Sequence, residues 1–538
     1  MAMMDVPLGT WLLFANVERH FSATEVVTRL PSKDLHRYTL GEFARRSQRL
    51  MHALDRLGLD RGERVATLGW NTYRHLEAYF AVPNTERVLH TLNLRLSPED
   101  LAYIIGHADD RAILVDPDLV PLLEKIGPEA LAKVRHLVVM ADEVPSDTSL
   151  EGLVAYEDLI ADEPESYPRR EIDERTPCGI CYTSGTTGRP KGAVYTHRST
   201  FLHSLAALTT AGMGFGPGDA VLPVVPMFHA NAWGVPHAAV ATGAKLVLSG
   251  PHLDPASLVD LMARERVTVA AGVPTIWLGV GEELAATGTR LPHLRHVACG
   301  GSQPPRALIE RYLNEFGIPI IQAWGMTETS PLASMAWPQE RMRDWEPGRV
   351  TDAARTKAGL PIAGVEITIR DDDGNEVPAD GTSMGELLVR GPWVIDEYLY
   401  GEGTDRFTDD GWFRTGDVAI GSPDGYFVIA DRSKDLIKSG GEWISSVDME
   451  AAIMAMPDVA EAAVVAIPDP KWQERPLACV VPREGAAVTL EDVCAHLAAS
   501  GFAKWQLPDR IELIDAVPKT TVGKFDKKVL RARFGEGS

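Results

Sequence analysis

Long apolar runs are missing from this sequence. No stretch approaches the roughly 18 uninterrupted apolar residues that cross a bilayer, so no transmembrane helix is expected. Cysteine is scarce: Cys178, Cys181, Cys299, Cys479 and Cys494 are five in 538 residues. An odd, scattered set fits a reducing compartment and excludes a disulfide scaffold. Cys178-Gly179-Ile180-Cys181 has the spacing of half a zinc or redox site, but no second such pair and no nearby histidine cluster completes one. Positive charge is also short, with 53 Lys and Arg against 75 Asp and Glu and a net charge of −22. That excludes the basic footprint of a nucleic-acid binder and electrostatic attachment to anionic lipid. Near the amino terminus Trp11-Leu12-Leu13-Phe14-Ala15 has no basic region before it and no clear cleavage site, so a cytoplasmic protein is expected.

What is present is enough for several cores. A chain of 538 residues should split into two or more domains. Up to about residue 345, helical patterns (40–57, 72–81, 98–107) alternate with short apolar runs (64–68, 88–92, 112–115, 245–248, 267–270, 295–298, 319–322). Such alternation predicts βαβ units, an α/β fold of doubly wound parallel sheets with helices on both faces. Beyond it, alternating segments at 365–370, 385–390 and 426–429 with Asp373-Gly374 and Pro423-Asp424-Gly425 turns predict a small antiparallel barrel or sheet over about 346–431. The pattern then restarts: helices at 449–456 and 490–497 and strands at 462–467 and 477–481 predict a separate α+β lid domain. The expected division is therefore 1–433 and 434–538.

Tyr182-Thr183-Ser184-Gly185-Thr186-Thr187-Gly188-Arg189-Pro190-Lys191-Gly192 is the stretch richest in chemistry. Glycines let backbone N–H groups approach an anion, hydroxyls donate to phosphate oxygens, and a lysine neutralises charge. It is not a Walker A loop, because no Ser or Thr follows Lys191. Gln322-Ala323-Trp324-Gly325-Met326-Thr327-Glu328-Thr329 lies at the end of a predicted strand, where open α/β sheets bind ligands. Its amide, ring, hydroxyl and carboxylate suit an adenine edge, an adenine face, an α-phosphate and Mg²⁺ respectively.

The order of these motifs resembles the adenylate-forming superfamily of acyl-CoA synthetases, luciferases and peptide-synthetase adenylation domains. The resemblance spans nearly the whole chain and implies a nucleotide site for ATP and AMP. Thr183, Ser184, Gly185, Thr186, Thr187, Gly188 and Lys191 would hold phosphates. Gly300, Gly301 and Ser302, with Gln322, Ala323, Trp324 and Gly325, would wall the adenine slot, and Thr327 would meet the α-phosphate. Thr183 and Glu328 would hold Mg²⁺. In Trp412-Phe413-Arg414-Thr415-Gly416-Asp417, Asp417 would accept the ribose hydroxyls, and Arg432 would reach the same sugar. Lys434 falls where the family hinges its small domain, and Lys438 would touch the substrate carboxylate or phosphates. Ser439, Gly440, Gly441, Glu442 and Trp443 would line the path of the CoA pantetheine arm. Lys524, in Pro518-Lys519-Thr520-Thr521-Val522-Gly523-Lys524-Phe525, matches the catalytic lysine and would stabilise charge on the carboxylate and α-phosphate.

The implied reaction has two halves: a carboxylate attacks ATP to give acyl-AMP and pyrophosphate, and CoA then displaces AMP. For the acid, His229 stands where peptide-synthetase domains usually carry an aspartate, so an acid without an α-amino group is expected. His229, Trp233, Gly301, Gly325 and Met326 would form the acyl pocket, His229 beside the reacting group and Trp233 at a position that gates the channel of related fatty acyl-CoA synthetases. The strings from Gly325 to Pro331 and Lys438 to Ser446 look like the subgroup that includes 3-methylmercaptopropionyl-CoA ligase. A short thioether acid or another short to medium acid is expected, with a long-chain fatty acid as the alternative. An enzyme loading a carrier protein and a non-catalytic ATP-binding regulator are rival classes. Resemblance also implies a homodimer. One departure is the bulky, charged segment Val82-Pro83-Asn84-Thr85-Glu86-Arg87-Val88-Leu89-His90, where that subgroup has a glycine-rich turn.

Overall fold

The computed structural model describes residues 3–183, 189–432, 435–439, 442–519 and 525–534. Seven strands form one sheet in the order Leu153–Ala155, His136–Val139, Asp110–Val115, Arg64–Leu68, Val88–Thr91, Pro177–Tyr182, Gly192–Thr196. Every neighbouring pair is parallel except the last, a hairpin. Val88–Thr91 is buried at all of its positions, as a parallel strand covered on both faces must be.

A second sheet has nine strands. Its centre, Ile320–Gly325, His296–Cys299, Val269–Gly272, Ala220–Pro223 and Lys245–Leu248, is parallel. Arg64–Leu68 and Lys245–Leu248 form where the apolar runs predict them, whereas the runs at 267–270, 295–298 and 319–322 enter their ladders one or two residues late. The hairpin Glu25–Arg29 and Leu35–Thr39 extends the sheet by pairing with Lys245–Leu248 across more than 200 residues of chain, an attachment that no local pattern announces.

Glu366–Arg370, Met384–Arg390, Phe413–Gly421 and Phe427–Arg432 pair as an open antiparallel sheet where the barrel or sheet was expected; four strands are too few to close a barrel. Along Phe413–Gly421 alternate residues are buried, which puts Asp417 on the inner face with Phe413, Thr415 and Ala419.

The small C-terminal domain has its own sheet, with Ile437–Ser439 between Glu442–Ile444 and Gln473–Pro482, and with Val459–Asp469 and Arg510–Leu513 both paired to Gln473–Pro482. Helices Ser446–Met454, Leu490–Ala499 and Lys527–Phe534 complete it, and Ile437, Ile444, Met449, Ile453, Val464, Val480 and Leu497 are buried in its core. The expected division between residues 433 and 434 lies outside the described residues.

The departing segment at 82–90 is accommodated by burial. Helix Tyr73–Asn84 continues through Pro83, and Arg87 turns inward at 3% exposure. Arg87 donates to the Leu59 carbonyl and to Asp55, so the buried charge is fully engaged. Cys178 and Cys181 are both buried, their sulfurs within hydrogen-bond reach of the Thr200 hydroxyl at 3.2 Å and the Thr91 hydroxyl at 3.4 Å. Burial pushes the Cys178 thiol up to about 12, which makes it inert. Among the described residues no cluster of three His, Cys, Asp or Glu side chains is built to hold a metal, and no helix is long and apolar enough to cross a membrane.

Candidate nucleotide and acyl site

The hairpin of Pro177–Tyr182 and Gly192–Thr196 carries the phosphate-loop motif at its tip. Its base is closed by the Thr183 N–H donating to the Lys191 carbonyl at 2.9 Å and the Lys191 N–H donating to the Thr183 hydroxyl at 3.3 Å. Ser184, Gly185, Thr186, Thr187 and Gly188 lie outside the described residues. The Lys191 ammonium stands 5.5 Å from the centre of the Tyr398 ring, a cation–π contact.

Gly300 and Gln322 follow or end parallel strands of the nine-stranded sheet. A Cβ on Gly300 would lie 2.8 Å from the Ala323 carbonyl oxygen and 3.0 Å from the Trp233 ring, so only glycine lets these three elements meet. Gly301 and Ser302, next in the chain, are exposed. Gln322 is 5% exposed, and its Oε1 has no hydrogen-bond donor in the structure. Such an acceptor fits an incoming amino group.

Trp324 follows. Its indole N–H donates to Asp417 Oδ2 at 3.1 Å, and its ring meets Phe427 edge-on at 5.6 Å. The sequence offered this ring as a face for adenine; the structure engages its N–H on the antiparallel sheet. Asp417 is 4% exposed, its amide donates to the Thr415 hydroxyl at 3.0 Å, and it pairs across the ladder with Arg432.

After Gly325 the chain folds back sharply. The Met326 N–H donates to the Thr329 hydroxyl at 3.0 Å and to the Pro331 carbonyl at 3.2 Å. The short turn Thr327–Thr329 is pinned from outside: Tyr195 donates its hydroxyl to the Thr327 carbonyl at 2.7 Å, and the Ile395 N–H donates to the Glu328 carbonyl at 2.9 Å. The Glu328 side chain is buried and accepts the Tyr398 hydroxyl at 2.5 Å. Two oxygen donors, the Glu328 carboxylate and the Thr183 hydroxyl, suit a Mg²⁺ that keeps its waters and takes its other ligands from phosphate.

The acyl-pocket motif adopts a strained backbone. Ala230, Asn231, Ala232 and Trp233 have φ of 42°, 52°, 47° and 57°, before Gly234 at 74°. Each non-glycine residue there costs about 1–3 kcal/mol and persists only when its surroundings hold it. Asn231 supplies the hold: its Oδ1 accepts the Tyr79 hydroxyl at 3.3 Å and the Cys181 thiol at 3.4 Å. His203 packs against Gly234 and accepts the Leu332 N–H at 3.1 Å; burial pushes its pKa down to about 3, so it stays a neutral acceptor. The turn sets the Trp233 ring, 8% exposed, against Gly300. His229 is half-buried at the head of the turn, its carbonyl accepting the Ala232 N–H at 3.1 Å.

In the small domain, the Ser439 hydroxyl accepts from Arg475 at 2.9 Å. Lys438, Glu442 and Trp443 lie on its two short strands, while Lys434, Gly440, Gly441 and Lys524 lie outside the described residues. The small domain meets the antiparallel sheet where Asp431 accepts the Ser446 N–H at 2.8 Å.

Sequence reasoning missed Tyr195, Asn231, His203 and Tyr398. Each acts on residues far away in the chain, and only Asn231 lies within a recognised motif, the acyl-pocket segment, where nothing in the sequence marks it as the residue that holds the turn.

The strand hairpin, the paired parallel strand ends and the small C-terminal sheet are the fold on which the comparisons bear. The AMP-binding enzyme family matches residues 13–399, and the AMP-binding enzyme C-terminal domain matches 448–524. The chain belongs to this family. It is 50% identical to the long-chain-fatty-acid–CoA ligase of Thermus thermophilus over 535 residues, covering 99% of this chain and 96% of the relative. It is 43% identical to the 3-methylmercaptopropionyl-CoA ligase of Ruegeria lacuscaerulensis, covering 99% and 98%. Its fold matches that of an anthranilate CoA ligase in complex with anthranoyl-AMP, with a TM-score of 0.86, 24% identity and 98% of both chains covered. The protein is an acid–thiol ligase that forms acyl-CoA.

Replacing Gly300 with alanine should separate the Ala323 strand from Trp233. ATP affinity, measured by calorimetry, should fall roughly tenfold, the effect of about 1.4 kcal/mol, with the melting temperature little changed. Unaltered ATP binding would show that the close approach at Gly300 does not shape the slot.

Proposed function

We propose that the enzyme activates a short to medium acid lacking an α-amino group, foremost 3-methylmercaptopropionate, as acyl-AMP and transfers it to CoA. The observation that carries this reading is the buried Trp233 ring packed against Gly300; in this reading the ring closes the acyl side of the site and limits the length of the acid. The similarity to the Ruegeria ligase supports the same acid. A long-chain fatty acid is the second reading, favoured by the 50% identity to the Thermus ligase.

In this proposal Lys191 and the loop residues hold the phosphates, while Asp417 and Arg432 hold the ribose. Gln322, Gly300 and Ser302 flank adenine. Thr183 and Glu328 hold Mg²⁺, which when bound neutralises phosphate charge. Lys438 and Lys524 place the carboxylate against the α-phosphate, and His229 lies beside it. Positioning and charge neutralisation supply the catalysis, and no protein nucleophile is needed. The small domain turns about Lys434, and Ser439, Gly440, Gly441, Glu442 and Trp443 then admit pantetheine. The protein works in the cytoplasm as a homodimer joined through its large domain; a monomer mass at micromolar concentration would contradict the dimer.

Lys524→Ala should abolish pyrophosphate release while sparing thioester formation from preformed acyl-AMP. Equal loss in both halves would contradict a role for Lys524 confined to adenylation.

A panel of carboxylic acids assayed for CoA-dependent AMP release tests the substrate. The thioether acid and short acids should lead; a clear preference for long chains would establish the second reading. Trp233→Ala should shift the ranking towards longer acids, since each buried methylene is worth about 0.8 kcal/mol and two change relative kcat/KM roughly tenfold. A uniform loss in a folded variant would make Trp233 core packing only.

A further inference from the structure

Tyr398 lies outside every motif that the reaction employs, yet it touches both halves of the phosphate site. It is 2% exposed. Its hydroxyl donates to Glu328 Oε1 at 2.5 Å, and its ring stands under the Lys191 ammonium at 5.5 Å. The main chain at Tyr398 bridges to Ala193 on the outgoing strand of the loop hairpin. From the other side Gly403 closes in, where a Cβ would come within 2.7 Å of the ring and 3.2 Å of Lys191 Nζ. The ring therefore has one position available. Burial, and after it the Glu328 charge, raise the phenol well above its ordinary range, so it remains a donor.

The segment is itself anchored. Leu399 packs with Val88 and Ile180 beneath the hairpin. Tyr400 lies against the His107 ring at 5.4 Å, and His107 Nδ1 is 2.7 Å from the Tyr182 hydroxyl at the foot of the loop. A carboxylate from the nine-stranded sheet and an ammonium from the seven-stranded sheet are thus registered against one rigid ring.

We propose that Tyr398 is a positioning residue with two separable roles: its hydroxyl fixes the Glu328 carboxylate for the divalent cation, and its ring fixes Lys191 for the nucleotide phosphates. This rests on the assignment of Glu328 and Lys191 made above. Partners that orient a metal-binding carboxylate typically govern affinity by 10–100-fold.

The test uses the full-length protein with ATP and no acid, and Mn²⁺ as the probe. Protein-bound Mn²⁺ is followed by electron paramagnetic resonance, and ATP binding in EDTA by calorimetry. Tyr398→Phe keeps the ring and should weaken Mn²⁺ binding roughly tenfold while leaving ATP affinity in EDTA unchanged. Tyr398→Leu should weaken both. A melting scan shows whether each variant is folded, and the phenylalanine variant decides the matter if the leucine variant is not. Wild-type Mn²⁺ affinity in Tyr398→Phe would overturn the proposal. A wild-type protein that releases pyrophosphate with an acid but binds no Mn²⁺ with ATP would overturn the Glu328 assignment, and the proposal with it, without touching the ligase reaction.

Discussion

One buried hydrogen bond joins the two sheets that carry the proposed nucleotide-binding residues. Trp324 ends a strand of the parallel system, Asp417 faces inward from the antiparallel sheet, and the indole N–H meets the carboxylate at 3.1 Å. A carboxylate 4% exposed needs such a donor, because a buried charge left without partners is expensive. In the proposed reading the same bond sets the ribose acceptor in register with the adenine wall. Slack between the sheets would move Asp417 and Arg432 relative to Gln322 and Gly300, the residues proposed to hold ribose and adenine.

Around that junction the protein accepts local strain in return for placement. Four successive non-glycine residues hold positive φ so that Trp233 reaches Gly300, and a buried Asn231 with two donors keeps them there. The turn after Gly325 is pinned by Tyr195 and the Ile395 N–H, which presents Glu328 to Tyr398. The site is therefore held by distant side chains that themselves touch no substrate in the proposed reaction, consistent with catalysis that depends on positioning.

Much of this was legible beforehand. Parallel strands buried on both faces read as apolar runs, because that pattern is a consequence of burial, whereas the inward face of Phe413–Gly421, with Thr415 and Asp417 on it, shows no apolar period and emerged only in the structure. Motif glycines such as Gly300 mark close approaches that a Cβ would block. What could not be read was anything that depends on a partner remote in sequence. The Glu25–Thr39 hairpin pairs more than 200 residues away, Arg87 is neutralised by Asp55, and the use of Trp324 as a donor depends on where Asp417 lies. The left-handed turn at 230–233 has no glycine until Gly234, so turn chemistry gave no sign of it.

The central claim is that Trp324 holds Asp417 as the acceptor for the ribose hydroxyls. Calorimetry of AMP against 2′,3′-dideoxy-AMP, on the wild type and on Trp324→Phe, tests it directly. The wild type should prefer AMP, and the variant, folded and with a ring still in place, should lose that preference by roughly tenfold, the scale of one charge-assisted hydrogen bond of about 1.5 kcal/mol. An undiminished preference for AMP in Trp324→Phe would contradict the account.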